Sequence, residues 1–142
     1  MKNILTNEEN QQLVHAIQEA EHKTSGEIRV HIARRSNHAA EEEAKLTFER
    51  LGMTQTQERN GILFYLSLED RNLVILGDRG IHEKVGEAFW KDLHHEVIRH
   101  FKEKHFLLGL LIGIQRCGVE LQRYFPINKE NPDELSNEIS FS

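Results

Sequence analysis

The stretch GILFYLSLEDRNLVILG, residues 61–77, predicts a β-hairpin at the centre of the fold. Its two nearly continuous apolar runs, residues 61–67 and 73–77, are typical of strands that are buried on both faces. The polar turn LEDRN between them, residues 68–72, is short enough to make the two strands antiparallel neighbours.

The chain before this hairpin predicts a helix, a strand and a second helix. Thr6 and Glu9 have the spacing of a capping box, which begins a helix that runs to about Lys23. The alternation in GEIRVHIA, residues 26–33, predicts a strand. A helix over about 39–51 then makes a crossover to residues 61–67, so these two strands are expected to be parallel.

After the hairpin, apolar residues recur every four positions from Ile81 to Phe101. A strict four-residue step drifts away from one face of a straight helix. We therefore predict a short helix near 82–88, a break around 89–92, and a longer helix to about Lys104. A last helix is predicted over 107–124, with Leu107, Leu111, Ile114, Gly118, Leu121 and Phe125 facing inward.

These elements make an α/β fold in the order α-β-α-β-β-α-α-α, with helices covering a small mixed sheet. We predict a single domain over residues 1–126, closed by Pro126. The polar segment 127–142 is predicted to be a frayed or disordered tail.

Composition excludes several classes of partner. The net charge of −5 argues against nucleic acid, because phosphate binding requires a basic surface. The most apolar run, Phe106–Ile114, is too short to span a bilayer, and the beginning of the chain lacks a signal-like apolar stretch. We therefore expect a cytoplasmic protein without a membrane anchor. The histidines lack zinc-like spacing and are expected to be solvated or partly packed.

The predicted chain direction gathers three remote polar segments at one end of the sheet. They are Ser25-Gly26-Glu27, Arg59-Asn60-Gly61 and Gly77-Asp78-Arg79-Gly80. They lie at the start of the first strand, the start of the second and the end of the third. A helix begins just after Gly80, and its free N–H groups and dipole would favour an anion.

This rim is the first candidate site. Asp78 could ligate a divalent metal or act as an acid or base, with Glu27 as a second ligand and His82 as a further acid–base group. Anion binding is assigned to four rim residues: Arg59, Asn60, Arg79 and Gly80. The guanidinium groups of the two arginines could hold a phosphate or carboxylate. The structural alternative is that these charges form salt bridges and that Asp78 caps the helix.

A weaker second cation site is predicted at the opposite end of the sheet. Glu69 and Asp70 lie in the hairpin turn and offer carboxylate oxygens, which calcium prefers. The alternative is that both are solvated turn residues.

The strings TSGEIRVHIA (residues 24–33), ERNGILFYLSLEDRNLVILGDRGI (residues 58–81) and the later pattern Trp90…Phe101…Gly109-Leu110 resemble the TPM domain. This family is named for a thylakoid-lumen protein, a photosystem II repair protein and an acetylcholine-receptor auxiliary protein. The resemblance covers roughly residues 5–126. It implies a three-layer α/β/α sandwich and, from the plant members, acid phosphatase activity with a bound divalent cation such as calcium or magnesium.

Two functions therefore follow from the sequence. One is a module for binding another protein, in assembly or repair, with a divalent cation and no organic cofactor. The alternative is a metal-dependent, acid-phosphatase-like hydrolase that uses Asp78. The family's aspartate shortly before the first helix has no counterpart here, since this chain has Leu5-Thr6-Asn7.

Overall fold

A computed structural model describes residues 4–127 and 137–142. Over these residues the elements are α1 (Asn7–Glu21), β1 (Glu27–Ala33), α2 (Ala40–Arg50), a 3-10 turn (Met53–Gln55), β2 (Gly61–Ser67), β3 (Asn72–Gly77), α3 (Arg79–Val85), α4 (Glu87–Lys102), α5 (Phe106–Tyr124) and β4 (Ser140–Phe141). The predicted order is confirmed, and β4 is added to it. The capping box at the start of α1 is also present, with both hydrogen bonds between Thr6 and Glu9 formed.

The sheet is mixed, with strand order β3-β2-β1-β4. Strands β1 and β2 are parallel, with Glu27 opposite Gly61. Strands β2 and β3 are antiparallel, with Ile62 opposite Gly77. The predicted crossover and hairpin are therefore confirmed, and the register carries the start of β1, the start of β2 and the end of β3 to one rim.

Two hydrophobic cores lie on opposite faces of the sheet, which confirms the α/β/α sandwich. Helices α1, α4 and α5 cover the even-numbered side chains of β1 and β2, including Ile28, Val30 and Phe64. Helix α2 covers the other face, where Phe48 packs with the odd-numbered Leu63 and Tyr65. All seven residues of β2 are buried, as expected for the central strand.

The break between α3 and α4 lies at Gly86, three residues before the predicted start of the break at Phe89. Gly86 has φ +80°, a left-handed conformation that glycine adopts at little cost, and it joins the C-terminus of α3 to the start of α4. The four-residue spacing does require a break in the helix. The break is at Gly86 and not at Phe89 and Trp90, which lie within α4.

Of the six residues of α5 and its end that were predicted to face inward, four are buried: Ile114, Gly118, Leu121 and Phe125. Leu107 and Leu111 are only half-buried, whereas Leu110 is fully buried. Gly109 and Gly113 are buried next to Leu110, and because they have no side chain they let neighbouring elements pack closely against α5. A Cβ atom at Gly113 would lie 2.7 Å from the Phe64 ring on β2, and one at Gly109 would lie 2.9 Å from the Phe101 ring on α4.

The predicted tail is ordered at residues 140–142, where a disordered segment was expected. Ser140 and Phe141 form β4, parallel to β1, with Ser140 opposite His31. The pairing extends to Ser142, whose N–H donates to the Ile32 carbonyl (3.0 Å). The rest of the predicted tail, apart from 127 and 137–139, lies outside the described residues.

Side chains from neighbouring helices hold main-chain groups of the strands that flank β2. The Ile28 N–H on β1 donates to the Glu21 carboxylate of α1 (2.7 Å). On β3, the Leu73 carbonyl accepts a hydrogen bond from the His94 ring of α4 (2.7 Å). His94 was expected to be solvated or partly packed. It is half-buried and holds a carbonyl of the edge strand β3.

We expect Gly113→Ala to lower the free energy of unfolding by about 1 kcal/mol, although alanine favours a helix, because the new methyl group overpacks against Phe64. Urea denaturation measures the change. The control is Gln115→Ala at an exposed position of α5, which should stay within about 0.5 kcal/mol. A Gly113→Ala variant more stable than the wild type would contradict the close packing.

Candidate functional site

The rim brings together the three segments that the sequence places there. The Asp78 N–H donates to the Gly61 carbonyl (2.9 Å), and the Glu27 N–H donates to the Asn60 carbonyl (3.4 Å). The predicted convergence of Glu27, Asp78 and Arg59 on one end of the sheet is therefore real. Whether their side chains are available to a ligand depends on the contacts that they make with each other.

Asp78 is engaged by Arg59 in a forked ion pair. Arg59 Nε and Nη2 donate to the two carboxylate oxygens of Asp78 at 2.7 and 2.9 Å. The Asp78 side chain is 7% exposed and that of Arg59 31% exposed, so the pair is partly shielded from water. The hydrogen bond to Asp78 raises the pKa of Arg59 above its ordinary value. This geometry matches the structural alternative, a salt bridge. It engages the Asp78 carboxylate, which was assigned to a metal, and the Arg59 guanidinium, which was assigned to an anion.

The start of α3 is also occupied by the protein itself. Asp78 is the N-cap, and its Oδ1 accepts a hydrogen bond from the Arg79 N–H (2.8 Å). The Gly80 N–H donates to the Arg59 carbonyl (2.8 Å). A Cβ atom at Gly80 would lie 2.1 Å from the Glu58 carbonyl oxygen, so glycine is needed for this approach. Two backbone donors that could hold an anion are therefore already bonded.

Asn60 and Glu27 are buried deeper in the rim, and Arg79 is exposed. Asn60 Nδ2 donates to the Ser25 hydroxyl (3.1 Å), which ties the start of β2 to the turn before β1. Glu27 is 2% exposed and is at an odd-numbered position of β1, like Ala33 in the core beneath α2. The Asn60 contact positions the two strands, and Arg79 is the guanidinium left at the surface.

The donor set does not fit a divalent cation well. Within residues 4–127 and 137–142, no group of three or more His, Cys, Asp or Glu side chains is arranged to hold a metal ion. Asp78 would have to exchange Arg59 for the cation, and calcium needs six or more oxygens. The assignment of a metal to Asp78 and Glu27 stays a prediction.

His82 contacts Trp90 rather than a reacting group. The Trp90 indole N–H donates to His82 Nδ1 (2.9 Å), and His82 Nε2 is 4.0 Å from the Glu87 carboxylate. The indole lies against Gly77, where a Cβ atom would be 2.3 Å from the ring. His82 therefore orients the tryptophan that covers the end of β3, and its catalytic assignment stays a prediction.

The second predicted cation site, Glu69 and Asp70, stabilises the hairpin turn. Asp70 Oδ2 accepts from the Ser67 hydroxyl (2.6 Å) and the Ser36 N–H (2.8 Å), and these two bonds lower the pKa of Asp70. Glu69 is 3.7 Å from Arg34. These contacts connect the loop after β1 to the hairpin turn, which is a structural role. The assignment of a cation to Glu69 and Asp70 also stays a prediction.

A buried cluster around His31 was not predicted from the sequence. His31 is 4% exposed and stacks on Tyr65, with 5.7 Å between ring centroids. Its ring nitrogens lie 2.8 Å from the Ser140 hydroxyl and 2.6 Å from the Ser142 hydroxyl. Only the alternation of serines around Phe141 could have indicated that the tail pairs here.

The hydrogen bonds of this cluster fit a neutral ring. The Ser140 hydroxyl donates to the Val30 carbonyl (3.4 Å), so it accepts from His31 Nδ1, and Nε2 then accepts from the Ser142 hydroxyl. Burial, followed by the positive charges of Arg50 and Arg29, lowers the pKa of His31 to about 4. His31 is therefore uncharged at neutral pH and holds β4 on the sheet.

Comparison with known proteins gives the family. A family model described as "TPM domain" matches residues 1–120. The chain belongs to the TPM domain family. No curated protein matches it. Within the described part of this TPM domain, no helix is both long enough and apolar enough to cross a membrane.

Two solved structures resemble this TPM domain. The NMR structure of BA42 protein from the psychrophilic bacterium Bizionia argentinensis is 40% identical, with a TM-score of 0.92, and the match covers 100% of this chain and 98% of that one. The solution NMR structure of the N-terminal domain of a protein from P. gingivalis is 18% identical, with a TM-score of 0.70. That match covers 87% of this chain and 80% of that one, and it supports the fold alone.

Arg59→Ala should lower the thermal midpoint of this TPM domain clearly more than Arg79→Ala does. The first change leaves the shielded Asp78 carboxylate without its forked donor, whereas Arg79 is exposed at the neighbouring position. Calorimetry of the two variants, which carry the same charge change, measures the difference. Equal midpoints would show that the ion pair contributes nothing to stability.

Acidification should destabilise the wild type more than a His31→Asn variant. The pKa of His31 is about 4 in the folded protein against 6.5 ordinarily, so its contribution is present above pH 6.5 and is lost as pH falls towards 4. Between pH 7 and pH 5 the difference in unfolding free energy between the two proteins should change by about 2 kcal/mol. Parallel pH profiles from urea denaturation would contradict this assignment.

Proposed function

We propose that this TPM domain is a non-catalytic protein-interaction module that binds an extended segment of a partner protein along the outer edge of β1. The observation that carries the proposal is β4, since only Ser140 and Phe141 form it and they occupy this edge with two paired residues. Addition of a strand to a sheet edge is a common way of recognising a peptide. Such a module is suited to a role in assembly or repair.

The main-chain contacts of the tail define what a partner would replace. Ser142 donates its N–H to the Ile32 carbonyl (3.0 Å), and its carbonyl accepts from the Arg34 N–H (3.1 Å). Any extended segment without proline at the donor position can make these bonds, because they involve backbone groups alone. They would supply affinity without dictating sequence.

The side chains beside this edge favour one kind of segment. His31 faces the hydroxyls of Ser140 and Ser142 on one side of the sheet. On the other side, Phe141 lies beside Leu5 and Ile32. A partner segment with serine or threonine on both sides of an apolar residue would satisfy both sides. The calcium or magnesium implied by the family has no part in this contact.

The hydrolase alternative has less support. It requires Asp78 to act on a metal or a substrate, whereas both Asp78 oxygens accept hydrogen bonds from Arg59. Metal-dependent turnover of a generic phosphate ester by the pure protein, lost in Asp78→Asn, would favour the hydrolase over the module.

A peptide of residues 137–142, NEISFS, tests the edge directly. In the full chain, Phe141→Asp combined with Ser142→Pro removes the apolar contact and the N–H that hold the tail. We expect the peptide to bind this variant saturably, with NMR shifts at the amides of Val30, Ile32 and Arg34. The wild type should need about ten-fold more peptide or higher, because its own tail competes at high effective concentration.

The matched control is the same peptide with proline in place of its last serine, which lacks the N–H that bonds to Ile32. It should bind much more weakly if a strand is added. The proposal fails if NEISFS leaves the variant unshifted, or if the proline peptide binds as well.

A further inference from the structure

A cavity of about 570 Å³ lies at the end of the sheet opposite the rim. It is partly open to solvent and is bordered by the β2–β3 hairpin on one side and the turn between α4 and α5 on the other. Its volume is within the range of about 300–1,000 Å³ that is usual for small-molecule sites. It shares no lining residue with the rim or with the His31 cluster.

The walls of this cavity are mainly apolar. Leu66 and Leu68 come from the hairpin, Ile98 and Phe101 from α4, and Phe106 from α5. The rings of Phe101 and Phe106 are tilted against each other, with centroids 5.3 Å apart. Four of the five, all but Leu66, are only partly buried, so they leave apolar surface that a ligand could cover.

The polar lining includes three cations, Arg71, Lys102 and Lys104, and no acid. None of the three forms an ion pair with any residue in the described parts of the chain. Glu103, which lies between the two lysines, is 3.6 Å from the His105 ring and does not line the cavity. The protein as a whole is acidic, so this local excess of positive charge is distinctive.

The turns that carry these cations have unusual backbones. Arg71 has φ +53° and Lys104 has φ +63°, positions at which glycine or asparagine is more common. Arg71 and Lys104 thus come from the two turns that border the cavity, and Lys102 lies at the end of α4 beside them.

We propose that this cavity binds the anion of a single-chain fatty acid. Its alkyl chain would cover the Ile98, Phe101 and Phe106 surfaces, and its carboxylate would lie among the cations at the mouth. A neutral apolar ligand would leave those charges unused, and a small polar anion would leave the apolar wall exposed to water. The volume suits one chain rather than a two-chain lipid.

Decanoate, kept below its micelle-forming concentration, is the probe. Titration of the isotope-labelled full chain, followed by NMR, should give saturable shifts at the amides of Leu68, Phe101 and Lys102. Decanol, which has the same chain without the charge, should bind about ten-fold more weakly or worse, and so should acetate, which lacks the chain.

The variant that tests the head-group contact is Lys102→Glu with Lys104→Glu, both at exposed positions. Decanoate affinity should fall by about ten-fold or more, since attraction becomes repulsion. The control, Lys23→Glu with Lys45→Glu, makes the same charge change at exposed positions that do not line the cavity and should bind as the wild type does.

Five results would overturn the proposal. Decanoate could give no saturable shifts, or shifts centred elsewhere. Decanol could bind as well as decanoate, or the Lys102 and Lys104 variant could bind decanoate as well as the wild type does. The protein could also bind anionic phospholipid vesicles without binding monomeric decanoate, which would indicate a membrane surface instead.

Discussion

The requirement that β2 be hydrogen-bonded along both edges governs this structure. All seven of its residues are buried, so none of its backbone groups can rely on bulk water. The crossover through α2 supplies β1 as a parallel neighbour, and the tight hairpin supplies β3 as an antiparallel one. The direction of these two partners then dictates which polar segments share the rim.

Convergence of charged residues at the rim does not by itself create a reactive site. Arg59 and Asp78 come from opposite sides of the hairpin, and once they are adjacent and shielded, pairing with each other is the arrangement that leaves neither charge unsatisfied. Asp78 also caps α3, so one carboxylate joins two strands and a helix. The contacts at the rim therefore stabilise the end of the sheet and the start of α3.

Periodicity and chain direction made the order of elements, the strand directions and the contents of the rim predictable. Three details were not predicted. The break lies at Gly86 because of the backbone conformation of that residue. A salt bridge of Asp78 was considered only as an alternative, and its forked geometry with Arg59 depends on tertiary contacts, as does the docking of Ser140 on a histidine more than a hundred residues earlier. Polar tails carry no periodic apolar signal, so the short β4 had nothing to distinguish it from a solvated end.

The way the outer strands are covered bears on how molecules of this domain avoid sticking to one another. Unpaired strand edges act as templates for pairing between chains and so promote aggregation. Here Glu21 holds a main-chain donor of β1, His94 holds a main-chain acceptor of β3, and β4 with Ser142 covers the edge of β1 from His31 to Arg34. A proteolytic cut that removed β4 would leave main-chain groups of Ile32 and Arg34 open to pairing with a strand of another molecule.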